Sequence, residues 1–220
     1  MVRRNARALA LVALIGLVAG ALGGCWNPFA PRNGGGGGGD PIEWKPRTSP
    51  ANVLHNLVTA YKNKMVDEYL DCMAEDFVFL LNPKDVENDP TLEPGYWGKA
   101  EERLIHQQMF GDEGEHADRI ELRLTQVGDP LPVNPGDGTG THYQYKEAVD
   151  LKVYMGVWTY LATAPSMYQF RIDQDQVGPD GEQLWEIWRW QDLDETRGSI
   201  SSDETTRTIT VGQLKAMFRP

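Results

Sequence analysis

Four histidines are the side chains best suited to proton transfer near neutral pH, because the imidazole ring titrates there. They are His55, His106, His116 and His142, and no two of them have the i, i+4 spacing that places two imidazoles on one helix face to bind zinc. The spacing therefore predicts no metal site. It leaves His106 and His142, or an aspartate, as candidates for a general base in a pocket.

The carboxylates do not have the spacing of a catalytic or calcium-binding motif. Residues 101–102 and 112–115 are acidic runs of the kind that a solvated surface carries. Residues 129–137 contain prolines and too few carboxylates for a calcium loop, and residues 173–175 suit the end of a strand. Glycines 34–39 lack the lysine and the preceding strand of a phosphate-binding loop. The sequence therefore assigns no catalytic residue and no cofactor.

Aromatic side chains are numerous for a polar chain, with seven tryptophans and eight tyrosines. Each of them suits an ordinary sheet core, but ligand pockets are also mostly apolar and aromatic. The side chains expected to line a pocket, if the fold holds one, are Tyr61, Phe79, Trp97, His106, Tyr154, Trp158 and Trp188.

The charge of the chain excludes a class of partners. Residues 1–24 hold three of the 21 basic residues and none of the 32 acidic ones, so the rest of the chain has 18 basic and 32 acidic residues and a net charge of −14. Nucleic acids are bound by basic surfaces, so we expect no nucleic-acid partner.

The elements that would position these side chains follow from the hydrophobic pattern. Val53, Leu57 and Tyr61 recur at helical spacing after Ser49 and Pro50, which suit the N-cap and first turn of a helix. The elements expected after it are a helix over 67–74, a strand over 76–81, a polar loop to 97, a helix over 99–110, a strand near 120–125, a loop over 128–140, strands over 142–156 and 158–173, a turn at 178–181, a strand over 183–193, a polar loop over 195–209 and a helix over 211–218. Helices followed by long strands predict an α+β fold, with the N-terminal helices packed on a strongly curved antiparallel sheet.

The N-terminus has the pattern of an export signal. Three arginines precede an uncharged apolar stretch over residues 8–21, which is shorter than the roughly 20 residues of a membrane span. The segment Leu-Gly-Gly-Cys at residues 22–25 resembles the lipobox of bacterial lipoproteins, which implies cleavage of residues 1–24 and acylation of Cys25. The alternative is an ordinary secretory signal. With Cys25 acylated, Cys72 has no partner for a disulfide and is expected on a buried helix face, with a reactive thiol as the alternative.

Residues 25–48 are expected to form a tether between this lipid and the folded part. Six consecutive glycines at 34–39 have no side chains to bury and lose much backbone entropy on ordering. The lipobox resemblance implies a location in the cell envelope, with the membrane as partner through Cys25. Because Trp26 follows the cysteine, it implies the periplasmic face of the outer membrane in a host with two membranes.

Residues 49–220 carry a second resemblance. The stretches LVTAY (57–61), DEY (67–69) and MAEDFVF (73–79) are similar to the start of the nuclear-transport-factor-2-like, SnoaL-like superfamily, and WEIWRWQD (185–192) is similar to its final strand. The resemblance implies one cystatin-like, cone-shaped domain of helices cupped by a bent sheet. In the ketosteroid isomerases of this superfamily, a carboxylate base precedes a proline and a tyrosine lies on the first helix. Asn82 and Leu57 stand at these positions here, which argues against that activity.

These observations predict an envelope lipoprotein whose domain is a binding or association module. It would hold a small apolar ligand in the cone or self-associate through its sheet as a homodimer. One alternative is a small cofactor-independent enzyme of the isomerase, dehydratase or cyclase type, which would use a histidine or aspartate in the pocket. Another is a structural envelope protein whose cone is filled and has no pocket. An enzyme needs a titratable side chain with a shifted pKa inside the cone, whereas a binding protein needs only a cavity.

Overall fold

The computed structural model describes residues 41–133, 142–193 and 205–220. The expected signal, Cys25 and most of the tether lie outside these residues. The folded unit spans Ile42–Pro220. It begins before residue 49, since the Lys45 amide donates to Asn56 and the Arg47 carbonyl accepts from the Trp185 amide. The last part of the expected tether is therefore part of the domain.

The first helix, α1, spans Pro50–Asn63 and begins as expected. The Ser49 hydroxyl accepts from the Asn52 amide, and Pro50 occupies the first turn, where its missing amide hydrogen is not needed. The helix ends at Lys64, whose backbone is left-handed with φ of 54°. Its buried face includes Leu57 and Tyr61.

The described residues contain four further α-helices: α2 (Val66–Leu70), α3 (Pro83–Asn88), α4 (Lys99–Phe110) and α5 (Val211–Ala216). A short 3-10 turn at Pro90–Leu92 follows α3. Helix α3 was expected to be loop, but Asn82 accepts from the Lys84 amide and Pro83 opens the first turn, which together start a helix. Helix α5 begins at Thr210 with a capping box, as expected. In the described part of the chain, no helix has the length and apolar character to cross a membrane.

The strands of the described residues form one sheet. They are β1 (Met73–Leu80), β2 (Tyr96–Gly98), β3 (Arg119–Gln126), β4 (Leu131–Val133), β5 (His142–Met155), β6 (Trp158–Ala162), β7 (Pro165–Val177), β8 (Gln183–Asp192) and β9 (Thr206–Thr208). Their order is β2-β1-β8-β7-β5-β6-β9, and β3 and β4 pair with the other edge of β5. The expected α+β fold with helices packed on a curved sheet is confirmed.

Several elements differ from the pattern-based expectation. The pairs β1–β8 and β6–β9 are parallel, so the sheet is mixed. Strand β1 begins at Met73, so α2 is shorter than expected. Strand β9 lies in a segment expected to be loop, because three residues are too short to show alternation. The strand expected over 158–173 is interrupted at residues 163–164 but keeps one register against β5, since Ala162 faces Leu151 and Pro165 faces Ala148.

Helices α1 and α4 cover one face of the sheet, and the core lies between them and that face. One end of this covered face is exposed to solvent. Along β3, Ile120 and Leu122 are buried, Leu124 is half-buried and Gln126 is exposed on the same face. The exposure therefore rises step by step toward the end of β3. We call this covered surface the concave face.

Candidate functional site

Three polar residues lie side by side across the concave face. Glu147 of β5 is the register partner of Ser166 of β7, and Ser166 is the partner of Asp192 of β8. Directly opposed residues on antiparallel strands share a face, with Cβ atoms about 5 Å apart. All three are buried. They form a continuous polar row, which begins beside the exposed Gln126, the partner of Glu147 on β3.

The polar row contains atoms that the fold does not satisfy. Within the described residues, Ser166 Oγ, Asp192 Oδ1 and the hydroxyl of neighbouring Tyr168 are buried without a hydrogen-bond partner. Nor does the carboxylate of Glu147 have a partner in this part of the chain. Buried polar atoms in native proteins are nearly always hydrogen-bonded to protein or to water, so this group of atoms is where a small hydrogen-bonding molecule would find partners.

Both carboxyl groups of the row have pKa values near neutrality. Burial raises the pKa of Glu147 to about 7. Burial also raises the pKa of Asp192 to about 7, although its Oδ2 accepts from the Gly212 amide at 2.9 Å, which favours the ionised form. At neutral pH each group can therefore either donate or accept a proton.

Aromatic side chains lie next to the polar row. Tyr168 is opposed by Tyr145 on one side and Trp190 on the other, and its ring centroid is 4.8 Å from that of Trp190. Tyr145 is half-buried and packs edge-on against Phe170 at 5.2 Å. The concave face thus places a polar edge beside an aromatic surface, near its solvent-facing end.

A buried ion pair lies deeper in the same core. Lys215 of α5 donates to Glu102 of α4 at 2.8 Å, and both side chains are completely buried. Trp97 Nε1 donates to the same oxygen at 2.6 Å, and the Tyr69 hydroxyl donates to the other oxygen at 2.6 Å. The Lys215 ammonium also lies 3.8 Å from the ring centroid of Trp190, so the two groups of residues adjoin.

The charges of this pair depend on each other. Burial alone would raise the pKa of Glu102, but the Lys215 ammonium and a hydrogen bond from His106 hold that pKa well below its usual range. Burial lowers the pKa of His106, so its ring is neutral. A neutral ring fits its two contacts, since Nδ1 lies 2.8 Å from the Glu102 carbonyl oxygen and Nε2 lies 2.8 Å from the Tyr61 hydroxyl. This network is internally satisfied, unlike the polar row.

The structure brings four of the seven side chains expected in a pocket together. They surround the Glu102–Lys215 pair and are almost completely buried: Tyr61, Phe79, Trp97 and His106. The other three lie elsewhere: Tyr154 packs under Arg119 at 3.9 Å, Trp158 is 36% exposed under Arg207 at 4.3 Å, and Trp188 meets His142 at 5.6 Å. Tyr154 and His142 point to the opposite face of β5 from Glu147.

Sequence reasoning missed all three residues of the polar row, Glu147, Ser166 and Asp192, and it also missed Glu102. Glu102 was assigned to a solvated acidic run, but its side chain is completely buried. The spacing of Glu102 with Ile105, His106 and Met109 places it on the buried helix face, and this periodicity was the available signal. Asp192 lies two residues after the buried Trp190 on β8, so the alternation along the strand places it on the same buried face.

Other candidate residues have structural roles. Leu57 is a core residue, and Asn82 caps α3 and donates to the Leu193 carbonyl at 3.4 Å. Cys72 is buried in the turn before β1 and not on a helix, and burial raises the pKa of its thiol to about 12. Such a thiol stays protonated and unreactive.

The comparisons with known proteins find similar solved structures, all at low sequence identity. No family model matches the chain, and no curated protein matches it. A conserved protein from Planctomyces limnophilus is 19% identical, over 65% of this chain and 91% of that one, with a TM-score of 0.46. An NTF2-like protein from Cytophaga hutchinsonii is 13% identical, over 64% of this chain and 91% of that one, with a TM-score of 0.39. A protein of unknown function with a cystatin-like fold from Nostoc punctiforme is 15% identical, over 65% and 86%, with a TM-score of 0.37.

Proposed function

We propose that the concave face binds a small molecule with an aromatic or apolar body and a neutral hydrogen-bonding head. The observation that carries this proposal is the set of three buried polar atoms without partners, on Ser166, Tyr168 and Asp192, beside Glu147. A hydroxyl or carbonyl head placed there would satisfy them. The body would lie on Tyr145 and the neighbouring aromatic rings.

The head is expected to be neutral for an electrostatic reason. An anionic head would face two carboxyl groups, and a cationic head would need both of them ionised in a buried place. With pKa values near 7, Glu147 and Asp192 are partly protonated at neutral pH, which suits a group that can donate and accept hydrogen bonds.

A hydroxylated aromatic probe tests this proposal. We expect 2-naphthol to bind the full-length protein with one-to-one stoichiometry, measured through its own fluorescence. Ser166→Ala and Tyr168→Phe each remove one unpaired polar atom and should weaken binding about fivefold, since a hydrogen bond contributes about 1 kcal/mol. Tyr154→Phe is the matched control, because Tyr154 lies on the opposite face of β5, and it should leave the affinity unchanged. Native mass spectrometry of the gently extracted protein would then identify the natural ligand.

Two results would contradict the binding proposal. One is the absence of any fluorescence change at millimolar probe with the protein folded by circular dichroism. The other is an affinity for 2-naphthol that neither Ser166→Ala nor Tyr168→Phe changes, which would place the probe elsewhere.

A second candidate function rests on Asp192. A buried carboxyl with a pKa near 7 and one unpaired oxygen has the properties of a general base or acid for a small substrate. This would be a cofactor-independent enzyme in which Asp192, and not a histidine, transfers the proton. The role requires that Asp192 ionises near neutral pH, so the pH dependence of unfolding bears on it directly.

We also propose that the chain is an exported lipoprotein of the cell envelope, anchored through acylated Cys25. The support is the sequence of residues 1–39: a basic start, an apolar stretch, a lipobox-like segment and a glycine run. Two or more acyl chains are needed for stable anchoring, and acylation of the cysteine thiol and amine would supply them.

Replacing Cys25 tests the anchor. We expect Cys25→Ser to abolish labelling by a fatty-acid probe and to retain the uncleaved precursor, because the serine hydroxyl does not replace the thiol in lipid transfer. Cys72→Ser is the control, since that thiol is buried in the folded domain, and its labelling should equal that of the parent chain. Labelling that persists in Cys25→Ser would overturn the proposal.

A further inference from the structure

A separate cleft opens between the edge of the sheet and two short helices. Its volume is about 510 Å³, and it lies between α3 with the following turn, strands β6 and β9, and helix α5. Its lining residues are Asp85, Asn88, Asp89, Thr91, Leu92, Tyr160, Arg207, Ile209, Gln213, Ala216 and Met217. None of them belongs to the polar row of the concave face, so the cleft is a second place where a ligand could bind.

One wall of the cleft offers donors for an anionic group. Tyr160 of β6 and Arg207 of β9 are register partners and lie side by side. Tyr160 is 8% exposed, and no described residue makes a hydrogen bond with its hydroxyl. The Arg207 guanidinium is held over the Trp158 ring at 4.3 Å and has no carboxylate partner within the described ranges. A guanidinium beside a phenol hydroxyl suits a carboxylate.

Helix α3 and the turn after it contribute two carboxylates to the lining of the cleft. Asp85 is already committed, since it accepts hydrogen bonds from Thr210 and Gln213. Asp89 is exposed, and one of its oxygens accepts from the Thr91 hydroxyl at 2.7 Å and the Thr91 amide at 3.0 Å. These hydrogen bonds lower the pKa of Asp89, and its second oxygen is left for a cation.

Much of the remaining lining is apolar. Leu92 is buried, and Ile209, Ala216 and Met217 complete the surface. A purely anionic ligand would meet Asp85 and Asp89, and a purely cationic one would meet Arg207. We propose that this cleft binds a free α-amino acid with an apolar side chain, its carboxylate on Arg207 and Tyr160 and its ammonium on Asp89.

Isothermal titration of the full-length protein with L-leucine tests this site. The expected result is saturable one-to-one binding. Arg207→Met and Tyr160→Phe should each weaken it, the first by at least about tenfold because it removes a charge-assisted contact. The matched control is Arg119→Met, since Arg119 likewise stacks on an aromatic ring, Tyr154 at 3.9 Å, but lies on β3 away from the cleft. That variant should bind as the parent protein does.

Two leucine analogues test the carboxylate contact and the ammonium contact separately. Leucinamide lacks the carboxylate and 4-methylpentanoate lacks the ammonium, and neither should bind measurably at concentrations that saturate with leucine. The proposal is overturned if leucine gives no heat at millimolar concentration with folded protein. It is equally overturned if Arg207→Met binds leucine as tightly as Arg119→Met, or if either analogue binds as well as leucine.

Discussion

Lys215→Met is expected to lower the free energy of unfolding by about 3–5 kcal/mol, because it leaves a buried carboxylate without its cation. Glu102 and Lys215 are both completely inaccessible to solvent and are joined at 2.8 Å. Methionine fills most of the volume of lysine, so the loss reflects the missing charge and not a cavity. Glu102→Gln should have an effect of similar size, since it leaves the Lys215 ammonium unpaired.

The double variant separates the ion pair from the fold around it. With Lys215→Met and Glu102→Gln combined, no unpaired charge remains. The new amide has one oxygen, which can accept from Trp97, and one nitrogen, which can donate to the Tyr69 hydroxyl. The double variant should therefore be more stable than either single variant, so the coupling energy should exceed the larger of the two single losses, which is at least about 3 kcal/mol. Urea unfolding followed by circular dichroism measures all four proteins.

An exposed ion pair between helices α4 and α2 is the control for this cycle. Arg103 of α4 contacts Asp67 at 3.0 Å, with side chains that are 45% and 61% exposed. Arg103→Met should change the unfolding free energy by less than about 1 kcal/mol, because solvent screens such pairs. If Lys215→Met were as mild as Arg103→Met, the Glu102 carboxylate would be protonated in the native protein and the ion pair would be absent.

The sequence predicts much of the fold because its elements are long and regular. Helix α1 has five apolar positions at helical spacing and a serine–proline start, and it was located correctly. Strand β3 alternates cleanly, and its buried face follows that alternation. The features that pattern analysis missed are short or depend on pairing: three-residue β9 has too few positions to alternate, and the parallel β1–β8 pairing is set by the tertiary fold.

The candidate site was much harder to predict, for a physical reason. Glu147, Ser166 and Asp192 are separated by 19 and 26 positions in the sequence, and only the registers of β5, β7 and β8 bring them side by side. A polar residue on a buried strand face has the same appearance in sequence as one on a solvated face. Of the seven side chains expected to line a pocket, four meet in the buried cluster around the Glu102–Lys215 pair, since aromatic type alone predicts burial, but none of the seven belongs to the polar row.

Asp192→Asn is expected to change how stability depends on pH, with a sign fixed by the direction of the pKa shift. In the folded protein the pKa of Asp192 is about 7, raised from 3.8 by burial. Between these two values the folded state holds a proton that the unfolded state releases. The contribution of Asp192 to stability is therefore fully present below about pH 4 and is lost as the pH rises through about 7.

Comparison with the asparagine variant isolates this group from others that titrate. His106, with a lowered pKa, makes stability rise with pH, and Glu147, with a raised pKa, makes it fall. Both are present in both proteins and cancel in the difference. From pH 4 to pH 7 the parent protein should lose stability relative to Asp192→Asn, with a slope of at most about 1.4 kcal/mol per pH unit.

The outcome bears on both functions considered for the concave face. Besides burial, the Asp85 carboxylate raises the pKa of Asp192. The amides of Gly212 and Val211 and the Lys215 ammonium lower it. A slope over the predicted window would mean that burial outweighs the amides and the ammonium, so Asp192 is poised to exchange a proton with a ligand head. A flat difference would mean that Asp192 is ionised throughout. In that case it could not act as an acid near neutrality, and its unpaired oxygen would instead require a donor on the ligand.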